Sequence, residues 1–226
     1  MHGDAGVRSE EDVVADTSTS AADVAAALAG LGAATLGESG GRAAHRRLRP
    51  AWPGATLAAA AYPVRCTPGD NLAVHVAVTR APRGSVLCVD VGRVPDRGYW
   101  GEVLTTAAEA RGIKGLVIDG GVRDVDELEA HGFPVFSVMV ALRGATKSSP
   151  GRIGGSARVG DVEVETGDWV VGDTDGVTVV ARDQLDAVLV AGRARADKEQ
   201  GFVQALQAGR TTLELLGLDD SPIKRA

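Results

Sequence analysis

The feature that most constrains the fold is a regular alternation of apolar runs and helical segments between residues 56 and 139. The apolar runs are typical of buried strands and lie at 56–66, 85–91, 115–118 and 134–139. Helices are predicted between these strands, at 70–80, 101–111 and 125–131. Such a β-α-β-α-β-α-β succession requires a parallel sheet with right-handed crossovers.

The chain on either side of this core follows different patterns. Before it, a helix is predicted to begin at Ser20 and to end at Gly30 or Gly32. After it, short alternating strands separated by Gly/Asp turns are predicted to wrap or extend the sheet, at 157–164, 169–171 and 177–180. A long helix over 183–208 and a short one over 212–218 complete a mixed α/β fold.

Charge and composition exclude several classes of protein. The 226 residues carry 24 basic and 30 acidic side chains, and aromatic residues make up only 4%. This balance disfavours a nucleic-acid-binding protein, which needs a basic face or stacking aromatics. No apolar run reaches the ~18 residues that a membrane span requires. We therefore expect a protein of the cytoplasm that binds neither nucleic acid nor membrane.

The acidic start of the chain, an arginine-rich segment and two cysteines remain to be placed. Residues 1–19 are acidic and are predicted to form a disordered lead rather than a targeting peptide, and 20–226 a single domain. An arginine-rich connection over 37–54 is expected to be a solvated loop. Cys66 and Cys88 lie in apolar stretches and are expected to be small buried side chains.

The loop over 92–104 follows one buried strand and opens a helix. Ligands of open α/β sheets bind beyond the carboxyl ends of the strands, so this loop is a candidate site. The free N–H groups of a helix start, here Gly101, Glu102, Val103 and Leu104, can bind a carboxylate or phosphate. Gly98 and Gly101 either let the backbone approach a ligand or simply make a turn.

The loop over 119–124, Asp-Gly-Gly-Val-Arg-Asp, is the second candidate. Arg123 offers a planar fork that suits a carboxylate, although a surface ion pair is the alternative. Asp124 offers one oxygen ligand, and Mg²⁺ often takes only one or two protein carboxylates. Asp124 and Glu127 also have the spacing of a capping box, which is a purely structural role.

Several segments, in this order and spacing, resemble one family. They are Trp52–Gly54, Pro68–Leu72, Trp100–Leu104, Arg111–Gly115, Asp119–Asp124, Phe133–Phe136 and Gly167–Gly176. Together they resemble the regulator of ribonuclease activity A family. The resemblance is to its aldolase branch, which contains the 4-hydroxy-4-methyl-2-oxoglutarate and 4-carboxy-4-hydroxy-2-oxoadipate aldolases.

The resemblance implies a layered α/β/β fold of the swivelling-domain type and a ring-shaped homotrimer with sites between subunits. It implies that pyruvate binds at 101–104, that Arg123 contacts the substrate and that Asp124 binds a divalent metal. Mg²⁺ is the expected ion, with Mn²⁺ or Co²⁺ as alternatives. Glu102 stands where a carboxylate would reach a water on the metal, and Glu199 resembles a carboxylate supplied by the neighbouring subunit.

The implied reaction is metal-dependent cleavage of a 4-hydroxy-2-oxo diacid to pyruvate, and the same enolate chemistry would decarboxylate oxaloacetate. Arg123 and the metal would stabilise the developing oxyanion. Neither loop contains a histidine, and His45, His75 and His131 are predicted to lie elsewhere. A water on the metal, oriented by Glu102 or Glu199, is therefore the expected proton carrier.

Two other functions remain open on the sequence. The same fold family includes a non-enzymatic, protein-binding regulator of a ribonuclease, and fold does not determine function. An aldolase recruited to a specialised pathway is the second, because Arg93 and Arg97 add positive charge beside the site. These arginines either recognise a distal carboxylate or are solvated. The Lys147–Ser149 segment is expected to be a polar turn rather than part of the site.

Overall fold

A computed structural model describes residues 20–224, so the predicted acidic lead over 1–19 lies outside the described residues. The helices are α1 (Ala21–Gly37), α2 (Leu72–Arg80), α3 (Glu102–Arg111), α4 (Val125–His131), α5 (Leu185–Gln207) and α6 (Thr212–Leu216). The first nine strands are β1 (Arg42–Ala43), β2 (Arg49–Pro50), β3 (Leu57–Arg65), β4 (Ser85–Asp90), β5 (Gly98–Trp100), β6 (Gly115–Ile118), β7 (Gly121–Val122), β8 (Val135–Ser137) and β9 (Met139–Val140). The remaining strands are β10 (Arg152–Ile153), β11 (Ser156–Val159), β12 (Val162–Glu165), β13 (Trp169–Asp173) and β14 (Gly176–Val180).

The main sheet has the order β1-β14-β13-β3-β4-β6-β8-β2, with β10 also paired to β3. Its centre, β3-β4-β6-β8, is parallel throughout, as the alternation of strands and helices predicted. The later strands β13 and β14 extend the sheet in antiparallel pairing on the other side of β3. The predicted mixed α/β fold is confirmed, and β11 and β12 form a separate hairpin.

A second, smaller parallel sheet has the order β5-β7-β9. Its strands β5, β7 and β9 follow β4, β6 and β8 along the chain, and they are arranged in the same order as those main-sheet strands. The predicted strand over 134–139 is therefore two strands in two sheets, separated at Val138. The two sheets together hold the loops that leave the carboxyl ends of β4, β6 and β8 beside one another.

The main sheet is strongly curved. Its edge strands β1 and β2 are joined by residues 44–48 alone. Eight flat neighbouring strands would separate these edges by ~34 Å, whereas the connecting residues span at most ~20 Å. The two edges must therefore approach each other. The segment over 37–54, expected to be a loop, instead supplies both edge strands.

Helix α1 begins where the sequence predicts and breaks where it predicts, but continues further. Ser20 and Asp23 form a capping box, and Gly32 has a left-handed backbone with φ of 77°. Helical structure then resumes to Gly37, because the Asp173 carboxylate accepts a hydrogen bond from Ala33 N at 2.7 Å. Helix α1 packs on α5, where a side chain at Gly192 would collide with Leu31.

Apolar residues fill both faces of the main sheet. Cys88 is buried in one face and Cys66 is partly buried near the other, and both are free. Burial raises the pKa of the Cys66 thiol to about 12, which leaves it uncharged at neutral pH. Within the described range, no helix has the length and apolar character to cross a membrane.

Two arginines of the 37–54 segment are fixed by ion pairs, so the prediction of a solvated loop is wrong for them. Arg47 lies 2.6 Å from Asp119 and 2.8 Å from Asp161, and these hydrogen bonds raise its pKa. Asp119 also accepts a hydrogen bond from Gly160 N at 3.1 Å. Arg42 pairs with Asp168 at 2.9 Å. These contacts tie the curved segment to the rest of the sheet.

The Arg47 contacts give a stability prediction. Arg47→Ala leaves the Asp119 carboxylate without its charged partner, and the free energy of unfolding should fall by ~2 kcal/mol. Arg46→Ala removes the same charge from an exposed neighbouring position and should change stability by less than ~0.5 kcal/mol. Urea unfolding of both variants measures the difference; equal losses would contradict a specific role for Arg47.

Candidate active site

One cavity of about 190 Å³ collects most of the predicted site residues. It lies at the carboxyl ends of the parallel strands, where ligands of such sheets bind. The residues that line it are Asn71, His75, Gly98, Tyr99, Trp100, Gly101, Val103, Leu104, Arg123, Asp124, Gly144, Ala145 and Lys147.

The loop over 92–101 is held by Tyr99, which is buried. Its hydroxyl donates to Val94 O at 2.5 Å and accepts from Gly69 N at 2.9 Å. The Tyr99 carbonyl accepts a hydrogen bond from Asn71 Nδ2 at 2.8 Å. The first candidate loop is thereby joined to the start of α2 as well as to α3.

Gly101 is required by a close approach within the chain. A Cβ atom at this position would overlap the carboxylate of Asp124, and one at Gly98 would lie 2.6 Å from Ala141 O. The absence of a side chain at Gly101 therefore lets Asp124 lie against the first loop, and at Gly98 it does the same for the backbone at Ala141. Neither residue has a left-handed φ angle.

The capping-box prediction for Asp124 is wrong. Asp124 has a left-handed backbone with φ of 56°, and its side chain makes no capping bond to its own helix α4. Its Oδ2 atom instead accepts a hydrogen bond from Glu102 N at 3.1 Å, at the start of α3. The carboxylate is stabilised there by the positive end of that helix. Asp124 thus links the two candidate loops.

Arg123 lies beside Asp124 with its Nε atom 3.6 Å from Asp124 Oδ2. Its side chain is 46% exposed and lines the cavity. Because this contact is long and lateral, most of the guanidinium fork remains open to a ligand. The predicted role of Arg123 on a carboxylate or oxyanion stays a prediction, with geometry that permits it.

The two predicted glutamates occupy different places. Glu102 is exposed at the first turn of α3, next to the cavity. Glu199 is exposed on α5, where it pairs with Arg195 at 2.8 Å, and Arg195 also pairs with Glu38. Glu199 is absent from the cavity lining of a single chain. A contribution from the neighbouring subunit stays a prediction.

Sequence reasoning missed three polar residues of the cavity. His75 was predicted to lie elsewhere and Lys147 in a polar turn, yet both line the cavity together with Asn71. Asn71 and His75 stand at the start of α2, directly after the parallel strand β3. The strand-end rule that selected the other two loops would have selected this one.

Asp70 holds the start of α2 against the loop over residues 146–149. It is buried, and its carboxylate accepts hydrogen bonds from Leu72 N, Thr146 Oγ1, Ser148 N and Ser149 N at 2.7–3.0 Å. Burial opposes ionisation, but these hydrogen bonds outweigh it and lower the pKa of Asp70 to about 2. Asp70 therefore ties the loop that carries Lys147 to the helix that carries His75.

The lowered pKa of Asp70 predicts a pH dependence of stability. Its folded-state pKa lies below the ordinary 3.8, so its stabilisation is complete above that value and is lost as the pH falls towards 2. Asp70→Asn should lower the free energy of unfolding by ~2 kcal/mol at neutral pH and remove this part of the acid dependence. Urea unfolding from pH 2 to 7 measures it.

Asp126→Asn is the matched control, because Asp126 is exposed on α4. Its unfolding curve should follow that of the wild type at every pH. An Asp70→Asn protein that keeps the wild-type acid dependence would contradict the role assigned to the Asp70 carboxylate.

The residues present fit only one kind of metal site. Within residues 20–224, no three His, Cys, Asp or Glu side chains cluster to hold an ion. Asp124 is the carboxylate of the cavity, and one of its oxygens bonds Glu102 N. This donor set fits a largely hydrated Mg²⁺, Mn²⁺ or Co²⁺ that takes its other ligands from water and substrate. It does not fit a structural zinc site.

Two arginines and a larger cavity lie outside this site. Arg93 is exposed, Arg97 is half-buried, and neither lines the cavity, so recognition of a distal carboxylate by them stays a prediction. A larger cavity of about 550 Å³ lies along the alanines of β3. Its lining is mostly small and apolar, and it lies away from Arg123 and Asp124.

The fold agrees with one family. The model of the RraA-like family, described as Aldolase/RraA, matches residues 13–179. The chain therefore belongs to the RraA-like family, as the resemblance of its motifs indicated.

One curated relative carries the name of an aldolase. The chain is 36% identical over 137 residues to a protein of Halalkalibacterium halodurans named "Putative 4-hydroxy-4-methyl-2-oxoglutarate aldolase". That match covers 60% of this chain and 65% of the relative, so the chain spans less than two thirds of the relative's length.

Solved structures support the same fold. An uncharacterised protein of Pseudomonas syringae superposes with a TM-score of 0.76 and 25% identity, over 86% of this chain and 97% of that one. The RNA-processing inhibitor RraA of Thermus thermophilis superposes with a TM-score of 0.60 and 25% identity, over 66% and 91%. Relatives thus carry both an aldolase name and an inhibitor name.

Proposed function

We propose that this protein is a divalent-metal-dependent aldolase that cleaves a 4-hydroxy-2-oxo diacid, such as 4-hydroxy-4-methyl-2-oxoglutarate, to pyruvate. The observation that carries the proposal is the cavity in which Arg123 and Asp124 face the start of α3. Its volume of about 190 Å³ suits a small acid better than a drug-sized ligand, for which pockets are ~300–1,000 Å³.

The start of α3 is the proposed site of the pyruvyl carboxylate. The N–H groups of Val103 and Leu104 belong to the first turn, where a helix has no internal partners for them. The N–H of Glu102 already donates to Asp124. The carboxylate of the substrate would therefore lie beside Val103 and Leu104, and would be fixed in orientation by them and by Gly101.

Arg123 is the proposed stabiliser of the oxyanion. Cleavage between C3 and C4 leaves the enolate of pyruvate, whose oxygen gains negative charge. The open guanidinium fork of Arg123 would bind this oxygen more tightly as the charge develops, which lowers the barrier. A divalent ion held by Asp124 would supply Lewis-acid stabilisation of the same charge. Oxaloacetate decarboxylation passes through the same enolate and is proposed as a side activity.

The assembly proposed with this function is a homotrimer of the cytoplasm. Large apolar side chains are exposed at Val103 (78%), which lines the cavity, and at Val140 (59%) and Leu142 (83%), which shortly precede its lining residue Gly144. Such a patch beside a site is typical of an interface. A neighbouring subunit on it could bring its own Glu199 towards Asp124 and, with Glu102, orient the water that exchanges protons with substrate.

The function is tested by a screen of 2-oxo acids with Mg²⁺, Mn²⁺ or Co²⁺, coupled to detection of pyruvate. Asp124→Ala should abolish metal-dependent pyruvate release, because it removes the proposed metal ligand. A thermal melt of the variant checks that the chain still folds. Asp126→Ala removes the same charge at an exposed position two residues away and should leave turnover unchanged.

Two results would oppose the metal assignment. One is full activity of Asp124→Ala with metal present. The other is wild-type activity that survives exhaustive chelation. A wild-type protein that releases no pyruvate from any 4-hydroxy-2-oxo acid would remove the aldolase proposal altogether.

Arg123→Lys gives a second test of the site. Lysine keeps the charge but loses the planar fork, so it should rescue little of the function. We expect kcat to fall by ~10²-fold or more, the scale of losing one oxyanion donor. Steady-state kinetics beside a thermal melt measure this; near-normal turnover with a lowered melting temperature would instead make Arg123 a structural residue.

A second candidate function is that of a protein-binding regulator of a ribonuclease. It is favoured by the likeness to the Thermus thermophilis protein named an RNA-processing inhibitor. The exposed patch of Val103, Val140 and Leu142 would then contact the ribonuclease instead of a second copy. An aldolase of a specialised pathway, with a different carbonyl product, is the alternative within the enzyme class, and the substrate screen distinguishes it.

A further inference from the structure

Two polar atoms beside the proposed active site have no hydrogen-bond partner. Nε2 of His75 and Oδ1 of Asn71 are both shielded from solvent and unpaired within the described part of the chain. The side chains stand one turn apart on the same face of α2, and both line the cavity. Because buried polar atoms in native proteins are nearly always paired, each of these two atoms is available to hydrogen-bond a water or a ligand.

The rest of Asn71 is already fixed. Asn71 is 4% exposed, and its Nδ2 atom donates a hydrogen bond to Tyr99 O at 2.8 Å. This bond sets the orientation of the amide, so Oδ1 can only accept a hydrogen bond. A ligand group that donates a proton, such as a hydroxyl, satisfies it. A carboxylate, which only accepts, does not.

His75 offers the complementary property. Burial, and then the nearby Lys147, lower its pKa, and the opposing Asp70 carboxylate does not reverse this. Its imidazole is therefore neutral at physiological pH, with one ring nitrogen free to accept a proton. Arg123 and Asp124 face the same cavity. In unliganded enzymes, the hydrogen bonds of catalytic residues commonly form or tighten only when the substrate binds.

We propose that His75 takes the proton from the 4-hydroxyl group of the substrate, and that Asn71 orients this hydroxyl through Oδ1. The inference rests on the proposed aldolase function and names its general base. The sequence alone predicted that a water molecule would take this proton, and the present proposal assigns that role to His75.

The step is balanced. The O–H bond at C4 breaks and its proton passes to a ring nitrogen of His75, while the C4–O bond becomes a carbonyl. The C3–C4 bond breaks, and its electron pair forms the enolate of pyruvate beside Arg123. A solvent water then protonates C3, and the hydroxide so formed leaves to bulk solvent. The imidazolium gives its proton to bulk solvent separately, where it neutralises that hydroxide. The site regains its starting charge, and pyruvate and the carbonyl product are released.

The test compares a reaction that needs this base with one that does not. Cleavage removes the 4-hydroxyl proton, whereas exchange of the methyl protons of pyruvate in D₂O uses the same enolate and has no hydroxyl. In His75→Gln we expect kcat for cleavage to fall by ~10²- to 10⁴-fold. Methyl exchange, followed by NMR, should stay within a few-fold of the wild type.

His131→Gln is the matched control, because His131 lies on α4 and pairs with Glu109 at 2.8 Å, outside the cavity. It should keep both rates. Wild-type cleavage by His75→Gln overturns the proposal. So does an equal loss of cleavage and exchange, with or without a lowered melting temperature, because His75 would then act on the enolate or on the fold.

The failure of this inference is distinct from the failure of the proposed function. If the wild type and His131→Gln release no pyruvate and exchange no methyl protons, the aldolase proposal itself is wrong. If both proteins are active and His75→Gln equals them, only the assignment of the base is wrong.

Discussion

The site depends on one arrangement: the three strands of the second parallel sheet, β5-β7-β9, each follow one strand of the main sheet, β4, β6 and β8. Each main strand continues into a short strand of the second sheet, so three separate loops are held in register. Glycines at 98, 101 and 121 make this possible, because a side chain at any of them would overlap a neighbouring loop. Arg123 and Asp124 face α3 as a result of this packing.

Hydrogen bonds between the loops hold the lining of the cavity in place. Asp70 joins the Lys147 loop to α2, Tyr99 joins α2 to the first candidate loop, and Asp124 joins that loop to the second. Every element that lines the cavity is therefore bonded to another one. Preorganisation of this kind is what a site needs if its charges are to stabilise a transition state without rearranging.

The sequence predicted the parts of the fold that depend on local pattern. The parallel strands, their helices and the loops at 101–104 and 119–124 follow from apolar periodicity and the strand-end rule. The sequence did not predict the contacts that a side chain makes with a residue far along the chain. Asp124 has the spacing of a capping box but bonds Glu102, and Arg47 resembles a solvated charge but meets Asp119 across 72 positions. His75 was missed although the strand-end rule also points to the loop after β3.

The position of β3 between β4 and β13 has a consequence for synthesis of the chain. One neighbour of β3 follows it within about 20 residues, but its other partners, β10 and β13, are made only from residue 152 onwards. Until then a nine-residue strand rich in alanine presents an open edge to other nascent chains. Pairing over so long a separation is slow, so productive folding of this protein depends on shielding that edge while the ribosome completes the second half.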